Sequence, residues 1–260
     1  EMTSSLVGSE MCIRDRDNIE NNTNIVDTLY IFSIPQDFKG LMRNSGPFWE
    51  PGRFTIYITL ALAINLFYFK EKITSKKSLV LLLTNLTTFS TTGYVATAVL
   101  FVGYIFFSNI KKSYKFILSV ILLVVVYYVG QLDFMTEKIA EQSADDSTWS
   151  RFGAIAYHWN QITQSPIIGF GPFLSNVFGD ELFSPNGLTD LMRYYGIPLS
   201  IVFYYLLYRG TKVYVGNSHK GANVCVFVSL LLLCFSQTIT YSPFFMILYF
   251  FAFNTYTYDK

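Results

Sequence analysis

Seven uncharged apolar runs, separated by basic clusters and polar loops, leave this chain few ways to fold. They are Phe54–Phe69, Ser78–Phe89, Thr92–Ser108, Phe116–Gly130, Gly196–Tyr208, Ala222–Ile239 and Pro243–Tyr256. A soluble domain would cover such runs with an amphipathic surface, but 52% of the 260 residues are hydrophobic and 18% aromatic. That balance points to an all-α, polytopic helical membrane protein of about seven spans. It carries one large helical loop on the extracytoplasmic side. The expected order is 54–130 and 196–260 as membrane helices, with 17–53 and 131–195 outside.

The stretch 79–107 decides the topology. As one helix it would put the lysine clusters at 70–77 and 111–115 on opposite sides of a membrane. As two short helices turning at Thr91-Thr92-Gly93 it puts both on one side, which the excess of Lys and Arg in cytoplasmic loops favours. Loops 70–77, 109–115, 209–221 and the C-terminus then hold 11 of the 19 basic residues and only 2 of the 18 acidic ones. Twelve residues of helix rise only about 18 Å against a hydrocarbon core of about 30 Å. The hairpin is therefore expected to turn below the outer surface, with Thr and Ser at 84–92 satisfying freed backbone groups.

The long polar segment from Trp149 to Pro198 has its own order. Ser147 or Ser150 can cap a helix that Pro166 ends. Phe152, Ile155, Ala156, Trp159 and Ile162 recur at helical spacing and predict its buried stripe, while Arg151 and His158 share a more polar face. Gly169-Phe170-Gly171-Pro172 is a turn in which backbone can approach something closely. A second helix is expected to start at Ser184-Pro185-Asn186, to carry Asp190 and Arg193, and to stop near Gly196. A helix start beside arginines suits an anion such as a phosphate.

The N-terminal part divides at residue 17. Residues 1–16, EMTSSLVGSEMCIRDR, have no helical period and no signal-peptide shape. They resemble translated adaptor sequence, which would make the chain an N-terminally truncated fragment. Arg43 to Phe54, RNSGPFWEPGRF, is a turn-rich loop. Its Phe48 and Trp49 suit a membrane interface, and an aromatic anchor with snorkelling arginines is the plain reading of the loop. Cys12, Cys225 and Cys234 have no metal or redox spacing.

Four cations are expected outside, Arg43, Arg53, Arg151 and Arg193, and all are Arg, whose planar guanidinium binds phosphate in a bidentate way. The alternative for each is a nearby acid, as for Arg193 with Asp190 at i,i+3. Candidate bases are Glu50, Asp180-Glu181 and His158, a residue that titrates near neutrality. For His158 the alternative is an interfacial polar residue beside Trp159, and Asp145-Asp146 read as a solvated loop face. Acids do not cluster with His or Cys at ligand spacings, so no metal site is expected. No Gly-rich loop follows a strand, which turns attention from nucleotide sugars to lipid-linked donors.

Three ordered motifs add to this. Arg151 with Ser165-Pro166-Ile167-Ile168-Gly169-Phe170-Gly171, Pro185-Asn186-Gly187-Leu188, and Tyr195-Gly196-Ile197-Pro198 resemble the signature loop of the O-antigen ligase/polymerase family. Gly46-Pro47-Phe48-Trp49-Glu50-Pro51 is similar to a motif before a membrane helix in polymerase-type members. The resemblance implies a membrane glycosyltransferase acting on polyprenyl diphosphate-linked glycans and membrane lipid, without a cofactor or nucleic acid, beside other polysaccharide-assembly proteins. It implies catalytic roles for Glu50, Arg151 and His158. It implies substrate binding by Arg43, Arg53, Gly169, Gly171, Asn186 and Arg193. Two departures matter. Family members often carry Ser-Arg-Gly where this chain has Ser90-Thr91-Thr92-Gly93. Ligase-type members place a His where Pro185 stands, which favours a polymerase over a ligase. A flippase or a non-catalytic membrane subunit is the reading from another class. Against a transporter stands the near absence of charge inside the runs.

Overall fold

The structure, a computed structural model, describes residues 26–27, 32–33, 36–38, 41–48, 50–108, 110–131, 136, 151–171, 186–215, 220–238 and 242–253. The readings of residues 1–16, Trp49, Asp145-Asp146, Ser147, Ser150, Pro172, Asp180-Glu181, Ser184 and Pro185 lie outside them. Two small antiparallel ladders open the described chain: β1 (Val26–Asp27) with β2 (Phe32–Ser33), and β3 (Gln36–Phe38) with β4 (Leu41–Arg43). The described elements that follow are helical.

Helix α1 (Pro51–Ala63) runs into a π turn at Ile64–Tyr68. Then come α2 (Lys76–Thr87), α3 (Thr91–Phe107), α4 (Lys112–Gly130), α5 (Arg151–Gln164), α6 (Gly187–Val215), α7 (Lys220–Ser236) and α8 (Pro243–Phe251). Each of the seven apolar runs forms a helix. Among the described residues, however, no helix is long and apolar enough to cross a membrane. Length is one reason: α2 has 12 residues and α8 has 9, about 18 and 14 Å of rise. The α2–α3 turn lies at Thr88-Phe89-Ser90 instead of 91–93, with Phe89 at a φ of 46°. Ser90 Oγ accepts from Gly93 N and starts α3 there. Two Thr side chains serve the last turn of α2, the Thr87 and Thr88 hydroxyls donating to the carbonyls of Thr84 and Asn85, while Thr84 donates within the helix to the Val80 carbonyl.

Small residues and paired polar groups set how closely the helices approach. A Cβ at Gly103 would come within 2.6 Å of Cys225 Cβ, and one at Gly93 within 2.2 Å of Thr55 Oγ1. Ser229 Oγ donates to the Ala96 carbonyl at 2.8 Å. Thr55 Oγ1 donates to Asn85 Oδ1, and Asn85 Nδ2 to Thr97 Oγ1 at 2.7 Å, so a buried polar relay ties α1, α2 and α3. Around it Leu62, Leu100, Leu230 and Leu233 are buried in one core. Buried polar atoms are tolerated here because they bond one another.

These pairs also fix direction. Thr55 lies level with Asn85, and Asn65 with Ser78. Ala96 lies level with Ser229, and Phe107 with Gly221. Thr211 lies level with Asn223, and Gly187 with Gln237. One end of the bundle therefore gathers the lysine-bearing connection at 69–75, the end of α3 and the start of α7. The opposite end gathers Glu50, the 88–90 turn, the start of α6 and the end of α7.

Candidate functional site

The start of α6 is the centre of that second end. Asn186 Oδ1 accepts from the backbone N–H groups of Leu188 (3.1 Å) and Thr189 (3.3 Å), capping the helix. Thr189 Oγ1 sits 2.6 Å from His158 Nδ1 on α5. One turn on, Arg193 Nε and Nη2 donate to Asp190 Oδ1 at 2.7 and 2.6 Å, and Nη1 donates to Gln161 Oε1 at 3.1 Å. The i,i+3 pair with Asp190 forms, and Arg193, expected on the surface, is only 1% exposed. Burial pushes the Asp190 carboxyl up and the guanidinium pulls it back down. Gln161 Nε2 is buried with no hydrogen-bond partner among the described residues.

The face of α5 that turns inward corrects the expected stripe. Ala154, His158, Gln161 and Ile162 are buried, whereas Trp159 is 56% exposed and Ala156 is also exposed. Of the predicted stripe only Ile162 is fully buried; Ile155 is half-buried, and the Phe152 side chain lies outside the described residues. The polar face wins because α6 offers His158 and Gln161 partners, which offset the cost of burying them. Arg151 opens α5 two turns before His158. Burial, with Arg193 adding its charge nearby, lowers the His158 pKa from 6.5 to about 3, so the imidazole is neutral.

The glycine-rich turn is gripped by a break in α6. Gly196 adopts φ 76° and ψ 168°, and Pro198 follows with no N–H. Helical hydrogen bonding would pair Ile197 N with the Arg193 carbonyl. Instead Ile197 N donates to Pro166 O (2.8 Å) and Phe170 N donates to Arg193 O (2.9 Å). Both groups freed by the break are thus satisfied by the turn. The approach is so close that a Cβ on Gly169 would lie 2.6 Å from the Tyr194 carbonyl, and one on Gly196 2.2 Å from Ile167 O. Gly171, at φ 54°, has open space around it.

Glu50 arrives from another direction. It takes the cap position of α1 with extended backbone and uses its carboxylate elsewhere: Gln237 Nε2 donates to Oε1 at 2.7 Å. Gly52 makes room, since a Cβ there would come within 2.7 Å of Gln237 Nε2. The backbone of Gln237 in turn abuts Gly187, one residue past Asn186. Arg53, in the first turn of α1, is lowered by burial while Glu50 opposes the shift. Arg43 lies at the α2–α3 turn, its Nε donating to the Thr88 carbonyl at 3.3 Å.

Of the residues singled out in the sequence, Glu50, His158, Asn186 and Arg193 gather around the start of α6. Arg53 follows Glu50, Gly169 holds the break in α6, and Arg43 stands at the hairpin tip. Gln161 and Gln237 were missed. Gln161 follows His158 at i,i+3 on the same buried side of α5, a spacing legible in the sequence; Gln237 lies inside an apolar run with no local signal to mark it. Among the described residues no three His, Cys, Asp or Glu side chains gather to hold a metal ion. What the arrangement offers is a half-buried carboxylate, a neutral imidazole and a buried amide donor around a capped helix start.

Residues 78–195 match the family model described as O-Antigen ligase. No curated protein and no solved structure matches the chain.

Proposed function

We propose, on the match of residues 78–195 to the O-antigen ligase family model, that this protein is a membrane glycosyltransferase of polymerase type. It lengthens a glycan held on polyprenyl diphosphate by moving it to the terminal sugar of a second lipid-linked unit. The observation that carries the reading is the gathering of Glu50, His158, Asn186 and Arg193 at one end of the bundle, around α6. In the transfer, an acceptor hydroxyl oxygen bonds to the anomeric carbon of the donor glycan. The bond from that carbon to the diphosphate oxygen breaks, and its electron pair leaves with the lipid diphosphate. The hydroxyl proton goes to a base.

Glu50 is the carboxylate assigned to that proton, oriented by Gln237. Arg43, Arg53 and Arg151 supply cationic donors to the charge growing on the diphosphate. Arg193, bonded to Asp190 and Gln161, holds α5 against α6. Gln161 Nε2 is a spare donor for a glycan or phosphate oxygen. The neutral His158 fixes Thr189 next to the Asn186 cap.

A bilayer location is part of the proposal. Supporting it, the helices turn large apolar side chains outward: Phe116 is 72% and Leu123 70% exposed on α4, and Leu83, Val102, Ile201 and Phe250 do the same on other helices. In water that surface is an association liability; in lipid it is the matching solvent. The basic clusters at the end away from Glu50 suit a cytoplasmic face. Short helices fit a bilayer by local thinning and by packing on longer neighbours.

The test is complementation of a polymerase-deficient host that supplies the cognate repeat unit, read as a surface-glycan ladder on a gel. A ladder from the wild type that Glu50→Gln and Arg151→Ala both lose, at unchanged membrane expression, supports the reading. A ladder that survives Glu50→Gln removes Glu50 as the base. Single repeats at the surface with no ladder from the wild type favour a ligase.

A further inference from the structure

At the end of the bundle away from Glu50, an open groove of about 610 Å³ runs between the π turn after α1 and the start of α2. Its walls are apolar, with Ile64, Phe69, Val80 and Leu81, and Lys76 and Lys77 stand at its rim. The volume falls within the roughly 300–1,000 Å³ of ligand-sized sites. Several features of the chain meet here. The π turn at Ile64–Tyr68 widens the helix, a distortion frequent at functional sites. Lys70 adopts a left-handed φ of 53°, uncommon for a residue with a side chain. Asn65 Nδ2 donates to Ser78 Oγ at 2.8 Å and pins the two helices at the groove. Phe69 and Val80 remain 65% and 61% exposed, so the walls are left open.

The charge around this groove selects its occupant. Lys76 and Lys77 line it, Lys70 and Lys72 belong to the connection that joins its two walls, and the acid among them, Glu71, lies 3.7 Å from Lys77. α2 opens with two lysines and no acid in its first turn, so its positive dipole end is not neutralised from within the helix. An apolar trough with a cationic rim at its mouth is complementary to an amphiphile with a negative head and a hydrocarbon tail. The geometry points to a binding site for an anionic phospholipid, its phosphate at Lys76 and Lys77 and an acyl chain along Ile64, Phe69 and Val80. The site lies at the opposite end of the bundle from Glu50 and α5, so it is distinct from the proposed transfer site. It rests on the bilayer placement argued above.

The full chain is to be reconstituted into nanodiscs made from an equimolar mixture of phosphatidylcholine and phosphatidylglycerol. It is then re-extracted in mild detergent, and the retained lipid is quantified by mass spectrometry. The wild type is expected to retain phosphatidylglycerol enriched about fivefold over phosphatidylcholine, the scale of one surface lysine acting on an anionic lipid. Lys76→Gln with Lys77→Gln should abolish the enrichment, Val80→Asp should weaken it, and Lys111→Gln with Lys112→Gln should leave it intact. No enrichment in the wild type, or equal loss in the Lys111/Lys112 variant, overturns the site while leaving the transferase reading in place. A protein that alkaline carbonate strips from membranes without detergent overturns the bilayer placement, and the lipid site with it.

Discussion

Arg193 is the largest fully buried side chain among the described residues, and its charge is paired with Asp190. Removing one member of such a pair leaves the other as an uncompensated buried charge, a loss of about 3–5 kcal/mol, whereas replacing both with apolar groups is often close to neutral. Asp190→Ala is therefore expected to lower the thermal midpoint of the purified protein sharply, and Asp190→Ala with Arg193→Met to recover much of it. A double variant no better than the single one would show that Arg193 is held by groups other than Asp190. His158 gives the pH counterpart. Its folded pKa of about 3 lies below the ordinary 6.5, so the unfolded chain binds a proton that the folded chain refuses. Its contribution to stability is fully present above pH 6.5 and is lost on acidification between 6.5 and about 3. The slope is about 1.4 kcal/mol per pH unit, or about 2 kcal/mol by pH 5. Thermal midpoints between pH 7 and pH 5 should fall in the wild type and flatten in His158→Gln; parallel curves would sink this account.

At the scale of elements, the break in α6 determines how the 165–171 turn docks. With φ 76° and ψ 168°, Gly196 stands in a region that essentially only glycine occupies, at a cost of about 1–3 kcal/mol for another residue. An added Cβ would also strike Ile167 O at 2.2 Å. Gly196→Ala should release the turn, seen as new protease cleavage within 165–171 and loss of the glycan ladder. Gly171→Asn, at a left-handed position with open space, should leave the cleavage pattern unchanged, since Asn visits that conformation readily. Equal behaviour of the two variants would separate the break from the docking. Much of this was legible in the residues. Pro166 follows the end of α5 and Gly196 breaks α6 where a stop is expected, Asn186 caps α6, and apart from α6, which runs on to Val215, the apolar runs mark the helices within a few residues. The inward face of α5 was not legible, because hydrophobic periodicity assumes that apolar groups win the interior. Here His158 and Gln161 win it through Thr189 and Arg193, partners that lie more than thirty residues away in sequence. The pairing of Glu50 with Gln237 is hidden for the same reason, being 187 residues apart.

For the whole molecule, the pairings across helices make a prediction that composition alone does not. Phe107 lies against Gly221 and Asn65 against Ser78, so the basic loops share one end; Gly187 lies against Gln237, whose side chain bonds Glu50, so the candidate site is at the other. If the bundle sits in a bilayer with its basic end inside, the two ends differ in access to an impermeant reagent. Ser113 and Asn160 are exposed positions at the basic end and on α5 respectively. In a chain freed of its native cysteines, Asn160→Cys should react with a membrane-impermeant maleimide on intact spheroplasts. Ser113→Cys should react only after lysis. The reverse pattern would place the arginines, Glu50 and His158 on the cytoplasmic side, where a lipid-linked glycan already carried outward is out of reach, and the transfer reading would fall with the topology. Labelling of both in intact spheroplasts would mean that the exposed apolar faces of α2, α4 and α6 are covered by protein instead of lipid. The expected pattern would join the charge sorting, the helix pairing and the outward apolar faces under one cause, a bundle whose two ends meet different compartments and whose sides meet lipid.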